Sequence, residues 1–185
     1  TPVGVRDILH LPLNELTNRY VSLEEVLGRE GKDMEEQMMN LSGFDERVEG
    51  LESFLLGRLQ RRNEFENNRM RMVMTRLLQC RGMFNVEQLA SYACLSRKQF
   101  ERVFAAYVGL MPKQYLRVIR FLYAVEFRNR MPEVDLATLA FHTGYYDAAH
   151  LANEIKALTG HTSSTLFQLM CFSEDAESIE WFLGA

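Results

Sequence analysis

Five polar side chains follow Ser96 within one short segment, namely Arg97, Lys98, Gln99, Glu101 and Arg102. Phe100, Val103 and Phe104 interrupt them, so a helix here would carry a polar face and an apolar face. An arginine guanidinium can donate two parallel hydrogen bonds to O6 and N7 of guanine, and Gln99 or Lys98 could read adenine or guanine. A glutamate such as Glu101 could accept from cytosine or repel a phosphate. The face therefore has the chemistry of base recognition, and the alternative is a solvated charged surface.

This polar face belongs to a pattern that occurs twice, in Leu89–Gly109 and in Leu139–Gly160. Each copy reads as a short helix opening with Leu-Ala, a tight turn, and a longer helix that ends at a glycine. The apolar positions of the two copies correspond, since Phe100 matches Leu151 and Phe104 matches Ile155. Two helix-turn-helix motifs are thus predicted, and two second helices could enter successive major-groove segments.

The second copy offers weaker chemistry. Its outward positions are predicted to be Ala148, Ala149, His150, Ala152, Asn153 and Lys156. Asn153 could pair with adenine, Ala148 or Ala149 could touch a thymine methyl, and Lys156 would contact a phosphate. We do not expect His150 to bind a metal, because no second ligand is well spaced from it.

A third set of polar residues opens the helix that follows the first motif. Pro112 suits the first turn of a helix. Lys113, Gln114 and Arg117 then lie near a helix amino terminus, which attracts anions, so phosphate contacts are predicted there. For Arg120, a phosphate contact and an internal ion pair stay open as alternatives.

The charge distribution supports a local anion-binding surface. The net charge is −4 for the whole chain, yet residues 63–130 hold 12 Lys/Arg against 5 Asp/Glu, a net +7. Residues 1–62 carry a net −4, residues 131–171 a net −3 and residues 172–185 a net −4. A basic patch surrounded by acidic segments is typical of phosphate binding at one place.

Hydrophobic periodicity and cap signals predict an all-α fold. We expect two three-helix helix-turn-helix subdomains joined by a long linker helix, preceded by a small helical N-terminal segment. In the N-terminal part the sequence predicts a capping box at Ser22–Glu25 and helices over Gly28–Met39 and Phe44–Arg62. Val48, Leu51, Leu55 and Leu59 form an apolar stripe on the last of these, interpreted as a core face or an interface.

In the second part, helices are expected over Asn68–Cys80, from an Asn85–Gln88 capping box, from Ser96 to near Gly109, and from Pro112 to about Asn129. Asp135 should cap the next helix, and Asp147 or Tyr146 the one after it. Ser163 or Ser164 should open a helix to about Met170, and Ser178–Leu183 would add another. The domain prediction is residues 1–62 as part of a regulatory or dimerising region, 63–171 as the tandem helix-turn-helix domain and 172–185 as an acidic tail.

The motif residues resemble those of the AraC/XylS transcriptional regulators over about residues 68–170. The resemblance rests on Leu89-Ala90, Ser96, Phe100, Phe104, Gly109, Pro112 to Tyr115, Leu116, Arg120, Leu139-Ala140 and Gly144-Tyr145. It implies a C-terminal domain that binds promoter DNA, and the looser match of Leu13–Leu59 implies the end of an N-terminal effector or dimerisation region. The partners expected from it are double-stranded promoter DNA, RNA polymerase and a second copy of the chain through its N-terminal region.

The second motif departs from the family pattern at several positions. Leu151 replaces a phenylalanine, Glu154-Ile155 replaces a Val-Phe pair, and Asn153 stands where arginine is common. Ser163 and Leu166 replace a proline and a tyrosine near the last helix. In the first motif Cys94 occupies a turn position that often carries glycine, which predicts a strained or modified turn.

The predicted function is a sequence-specific DNA-binding regulator that reads bases mainly with its first motif. The alternative is an interaction module that keeps the fold and binds a protein. An enzyme is not expected, since the sequence shows no nucleophile–base pair, paired carboxylates, phosphate loop or metal cluster, and no cofactor is predicted. No apolar run nears the length of a membrane span, and the three scattered cysteines suit a reducing cytoplasm, so a cytoplasmic protein is expected. The start at Thr1 suggests a piece of a longer chain.

Overall fold

The computed structural model describes residues 2–59 and 64–170, and these contain α-helices and one 3-10 helix but no strand. The predicted all-α class is confirmed for this part of the chain. The α-helices are α1 Pro2–Leu9, α2 Leu23–Leu27, α3 Arg29–Asn40, α4 Phe44–Leu59, α5 Glu64–Gln79, α6 Val86–Tyr92, α7 Arg97–Val108, α8 Pro112–Arg130, α9 Leu136–His142, α10 Ala148–Thr159 and α11 Ser163–Met170, and Leu13–Glu15 is the 3-10 helix. None of these helices is both long enough and apolar enough to cross a bilayer.

Capping side chains begin several helices at the predicted places. At α2 and α6 the boxes of Ser22 with Glu25 and of Asn85 with Gln88 are both complete. The carboxylate of Asp135 accepts from two amides at the start of α9, and that of Asp147 accepts from the His150 amide in α10. These caps satisfy amides that the first helical turn leaves without a backbone partner.

The predicted start of one helix differs from the structure, and two other predictions cannot be compared with it. Helix α5 begins at Glu64, four residues before the predicted start, because no glycine or proline interrupts the polar stretch there. The predicted helix Ser178–Leu183 and the last residues of the predicted Phe44–Arg62 helix lie outside the described residues. The predicted domain limits stay predictions.

The described residues fall into two compact units. The first takes residues up to Met72 together with Lys98–Met111, and the second takes Val73–Arg97 and the residues from Pro112 onward. Helices α5 and α7 therefore contribute residues to both units.

In the first unit, the N-terminal segment contacts the end of α7. The Thr17 hydroxyl donates to the Gly109 carbonyl at 2.5 Å, and the Arg6 guanidinium lies 3.8 Å from the centroid of the Tyr107 ring. The buried Asp7 carboxylate accepts from Arg71 at 2.9 Å. The segment before α2 thus supports the C-terminal turn of the helix that carries the predicted base-reading face.

The apolar stripe of α4 is only partly covered within the described residues. Val48 and Leu51 are 37% and 46% exposed, while Leu55 and Leu59 are half-buried. The one buried α4 residue is Arg58, which is 8% exposed. Of the two predicted roles for the stripe, a core face is therefore realised only at its C-terminal end.

The second unit has a contiguous core under its helix-turn-helix. Leu139 and Ala140 of α9 pack with Leu151 and Ile155 of α10, and all four are nearly inaccessible to solvent. Ala124 of the 19-residue helix α8 and Tyr145 of the turn complete the cluster. Leu151 and Ile155 lie one helical turn apart, so the opposite face of α10 is left for solvent.

Candidate nucleic-acid interface

The turn of the first motif has the modified conformation that its sequence predicts. Cys94 has φ +54°, a left-handed conformation that costs a residue with a Cβ roughly 1 kcal/mol. The amide of Cys94 donates to the Ser91 carbonyl and that of Leu95 to the Ala90 carbonyl, both at 3.0 Å. These bonds close the C-terminal end of α6 and turn the chain toward Ser96, after which α7 begins at Arg97.

Helix α7 divides its residues as predicted between a buried and an exposed face. Phe100 and Phe104 are 0% exposed, with ring centroids 5.4 Å apart. The exposed residues are Arg97, Lys98, Gln99 and Arg102, with Ser96 just before them, and Glu101 is half-buried. Because two buried phenylalanines fix the helix rotation, this polar face cannot turn inward without losing the packing of both rings.

Arg97 already has an acidic neighbour. Its Nη1 donates to Oε1 of Glu87, and the two side chains are 61% and 57% exposed. Exposed pairs of this kind contribute at most about 1 kcal/mol, so a stronger acceptor such as a phosphate could take the guanidinium.

Arg117, which is predicted to hold a phosphate, forms an ion pair with a carboxylate. Its Nε donates to Oε2 of Glu154 at 2.8 Å and its Nη2 to Oε1 at 3.1 Å. The hydrogen bond to Glu154 is the main reason why the pKa of Arg117 is raised. A phosphate contact would require this two-point pair between α8 and α10 to open.

Sequence reasoning missed the role of Glu154. Its signal was present, because an acidic residue stands where the resembling family carries an apolar one, and such a residue needs a partner when it is partly buried. The Glu154 side chain is 19% exposed, and Arg117 supplies the partner.

Arg120 makes an internal contact within the second unit, and its predicted phosphate contact stays a prediction. Its Nη2 donates to the Gly82 carbonyl at 3.0 Å, and its guanidinium lies 5.7 Å from the Tyr145 ring centroid. The acceptor is thus a backbone carbonyl rather than the expected carboxylate. Burial raises the pKa of the Tyr145 hydroxyl to about 12, so this group stays neutral.

The first turn of α8 is more exposed than the position of Arg117. Pro112 begins the helix and is buried, while Lys113 and Gln114 are exposed. The residues of α8 that are predicted to contact phosphate therefore form two groups. Lys113 and Gln114 are exposed at the first turn, whereas Arg117, one turn later, is in an ion pair.

Helix α10 exposes fewer charged residues than α7 does. Ala149, His150, Asn153 and Lys156 are exposed, whereas Ala148 and Ala152 are half-buried. The Tyr146 amide donates to Nδ1 of His150 at 3.3 Å, and the His150 ring stands edge-on to Tyr145 with centroids 5.4 Å apart. In the neutral ring, Nε2 therefore carries the proton and is a donor. No group of three or more potential metal ligands occurs among the described residues.

Comparison with known proteins agrees with this arrangement. A family model described as a helix-turn-helix domain matches residues 89–168. An uncharacterized helix-turn-helix-type transcriptional regulator of Haemophilus influenzae is 30% identical over 80 residues, which are 43% of this chain and 26% of that protein. The chain thus matches about a quarter of the length of that relative. No solved structure matches the chain.

The matched region runs from α6 through α11 and contains both helix-turn-helix motifs. This chain therefore carries an AraC-type helix-turn-helix domain over residues 89–168.

Proposed function

We propose that this chain is a DNA-binding transcriptional regulator whose first motif supplies most of the base reading. The observation that carries the proposal is the polar face of α7. Three exposed cations, Arg97, Lys98 and Arg102, lie on a helix held by two buried phenylalanines, within a domain of the helix-turn-helix class.

On this face Arg102 is the residue best suited to a guanine. It is exposed and lies on the helix side opposite the buried Phe100 and Phe104. A bidentate arginine–guanine pair discriminates against other bases by about 1–3 kcal/mol. Gln99 and Lys98 would read the neighbouring base pair. Glu101 would accept from a cytosine or keep phosphates of a wrong register away.

Backbone contacts would come from residues at two helix starts. Ser96 and Arg97 flank the amino terminus of α7, and Lys113 and Gln114 that of α8. Contacts of this kind position a protein on DNA without reading its sequence. Arg117 would join them only after leaving Glu154.

The second motif would contribute less free energy of binding. On α10, Ala148 and Ala149 would meet a thymine methyl, Asn153 an adenine, His150 a neighbouring acceptor and Lys156 a phosphate. Lys156 is the single basic residue that α10 brings, and phosphate affinity grows with the number of cations that reach the backbone. Full affinity would therefore need a second protomer or a partner such as RNA polymerase.

The half-covered stripe of α4 supports the homodimer as part of the proposal, because Val48 and Leu51 leave apolar surface for a second copy. A concentration series by light scattering tests it. Replacing both residues by Ser should return a dimer to the monomer mass.

The proposal includes a cytoplasmic location, because a regulator of promoters acts where the chromosome lies. It also includes the absence of enzymatic activity.

The decisive experiment begins with selection of a preferred duplex from random DNA, followed by binding of variants at fixed salt. Arg102→Ala should lose about 1–3 kcal/mol on the selected duplex, much less on random DNA, and relax one base position. Asn153→Ala should lose less, and Lys32→Ala, an exposed cation on α3, serves as the control.

Equal losses on selected and random DNA would show that Arg102 only holds phosphate. If the wild-type chain shows no salt-dependent binding to any duplex, the interaction-module alternative replaces the proposal, since phosphate contacts must weaken as salt rises.

A further inference from the structure

A cleft of about 770 Å³ lies within the second unit, bounded by the start of α6, by α8 and by α10. Its volume is in the range of ligand-binding sites, roughly 300–1,000 Å³. The cations on its walls are Arg97, Lys113, Arg117 and Arg120, and the carboxylates are Glu87 and Glu154. His150 also lines it, and Met83 and Leu116 contribute apolar surface.

The cleft has positive charge that its own carboxylates do not compensate. Glu87 pairs with Arg97, and Glu154 pairs with Arg117. Neither Lys113 nor Arg120 has a carboxylate partner within the part of the chain that the structure describes. Two positive charges on one wall of a single cleft attract an anion.

These two residues converge because of the helix that carries them. Positions 113, 116, 117 and 120 recur at intervals of three and four, so they share one face of α8. The helical rise between Lys113 and Arg120 is about 10 Å. Both side chains are long, so their charged ends can reach the same bound anion. The positive end of the α8 dipole lies at the Lys113 end.

Arg120 also has a buried hydrogen-bond donor that is not used within the described residues. Its Nε is inaccessible to solvent and donates to no acceptor among the described residues, and the hydroxyl of the neighbouring Tyr145 is in the same state. A buried donor without an acceptor costs about 1–3 kcal/mol, which an anion would remove. His150 adds a further donor on the opposite wall, because its Nδ1 is used by the Tyr146 amide and its Nε2 is left to donate.

We infer that this cleft binds a phosphate group, held by Lys113 and Arg120 with a hydrogen bond from His150 Nε2. The group would be either a backbone phosphate of DNA or the phosphate of a free phosphorylated small molecule. In the first case the inference rests on the proposed function. Lys113 and Arg120 would then hold a DNA phosphate, which Arg117 cannot do while it is paired with Glu154. In the second case the cleft is a ligand site in its own right.

The test is a titration of the full chain with inorganic phosphate at constant ionic strength, followed by amide chemical shifts. Saturable shifts are expected at residues 113–120 and near His150. Lys113→Gln should weaken phosphate binding by about tenfold, the loss of one charge-assisted hydrogen bond. Lys32→Gln removes the same charge outside the cleft and should leave binding unchanged. Lys113 is exposed, so equal unfolding midpoints should show that the variant keeps the fold.

A second arm adds a saturating DNA duplex. Displacement of phosphate by the duplex identifies the DNA backbone as the occupant, and phosphate that stays bound beside the duplex identifies a free phosphorylated ligand. Shifts that do not saturate, or equal weakening by Lys113→Gln and Lys32→Gln, overturn the inference. If the wild-type chain binds phosphate but no duplex, the proposed function is overturned, and the inference that the cleft binds phosphate still holds.

Discussion

Arg117 of α8 and Glu154 of α10 form a two-point ion pair, with Nε–Oε2 and Nη2–Oε1 distances of 2.8 and 3.1 Å. The two residues are 37 positions apart in the chain, and the pair links the linker helix to the second helix of the second motif. It removes one of the few cations near α10 from use by a ligand. The low positive charge of the second motif is therefore partly a consequence of an internal contact.

Replacing Glu154 by Gln should release Arg117 and strengthen binding to DNA. One added phosphate contact should steepen the plot of log K against log salt by about 0.9. The stability loss should be about 1–3 kcal/mol, because the pair is partly buried, with the Arg117 and Glu154 side chains 39% and 19% exposed. Binding to one duplex at four salt concentrations measures the slope.

The control for this change is Glu126→Gln, which breaks the ion pair between Glu126 and Arg130 near the C-terminal end of the same helix α8. A double variant, Arg117→Gln with Glu154→Gln, should return the slope to the wild-type value. An unchanged slope in Glu154→Gln would mean that Arg117 stays away from DNA for another reason.

Two glycines with similar positive φ angles should tolerate alanine very differently. Gly82 and Gly160 have φ +70° and +78°. A Cβ on Gly160 meets no atom within 4 Å, whereas a Cβ on Gly82 would lie 2.8 Å from the Leu116 carbonyl oxygen and 3.0 Å from the Arg120 amide nitrogen. Gly160→Ala should cost only the left-handed strain, about 1 kcal/mol. Gly82→Ala should cost about 1–3 kcal/mol more, because the α8 backbone must shift. Urea unfolding compares the two, and equal losses would contradict the close approach.

Arg58 should be a principal stabilising residue of the first unit. Its Nε donates to the Ile8 carbonyl at 2.6 Å, its guanidinium pairs with Glu30, and the His10 Nε2 donates to the Arg58 carbonyl at 3.1 Å. Arg58→Met keeps much of the side-chain volume and should cost about 2–3 kcal/mol, since carbonyls at the end of α1 lose a charged donor. Glu30 is 48% exposed, so Glu30→Gln should cost less than about 1 kcal/mol. Thermal unfolding measures both, and a larger loss from Glu30→Gln would refute this ranking.

The α9 cap should make stability depend on acid pH. The backbone amide and the hydroxyl of Thr138 are the main causes that hold the pKa of Asp135 below its ordinary value of 3.8, and the Ala137 amide adds to them. Because the folded pKa is lowered, the contribution of Asp135 is present above the ordinary pKa and is lost as the pH falls through the folded one. The difference in unfolding midpoint between wild type and Asp135→Ala should therefore shrink at the acid end. A carbon NMR titration of the carboxyl gives the pKa directly, and a pH-independent difference would rule the mechanism out.

Local features of the chain were predictable from the sequence because their causes are local. A cap needs a side chain within three residues of the amide that it accepts from, as at Asn85 and Asp135, and both were predicted. The division of α7 into faces follows from the helical period, so buried Phe100 and exposed Arg102 were also predicted. The tandem spacing predicted the matched domain for the same reason, since each motif is a continuous segment.

Long-range pairing was decided by the tertiary structure alone. The sequence shows that Arg117 and Arg120 are cationic, but their partners, Glu154 and the Gly82 carbonyl, are 37 and 38 positions away. Arg58 likewise reads as a surface residue of an amphipathic helix, yet it is buried against a carbonyl 50 positions earlier. A charged side chain reaches whichever acceptor the packing of helices brings near, and this packing depends on the summed burial of many apolar residues. Composition and periodicity thus determine the helices and their faces, and only the packed chain determines which of the cations can reach a ligand.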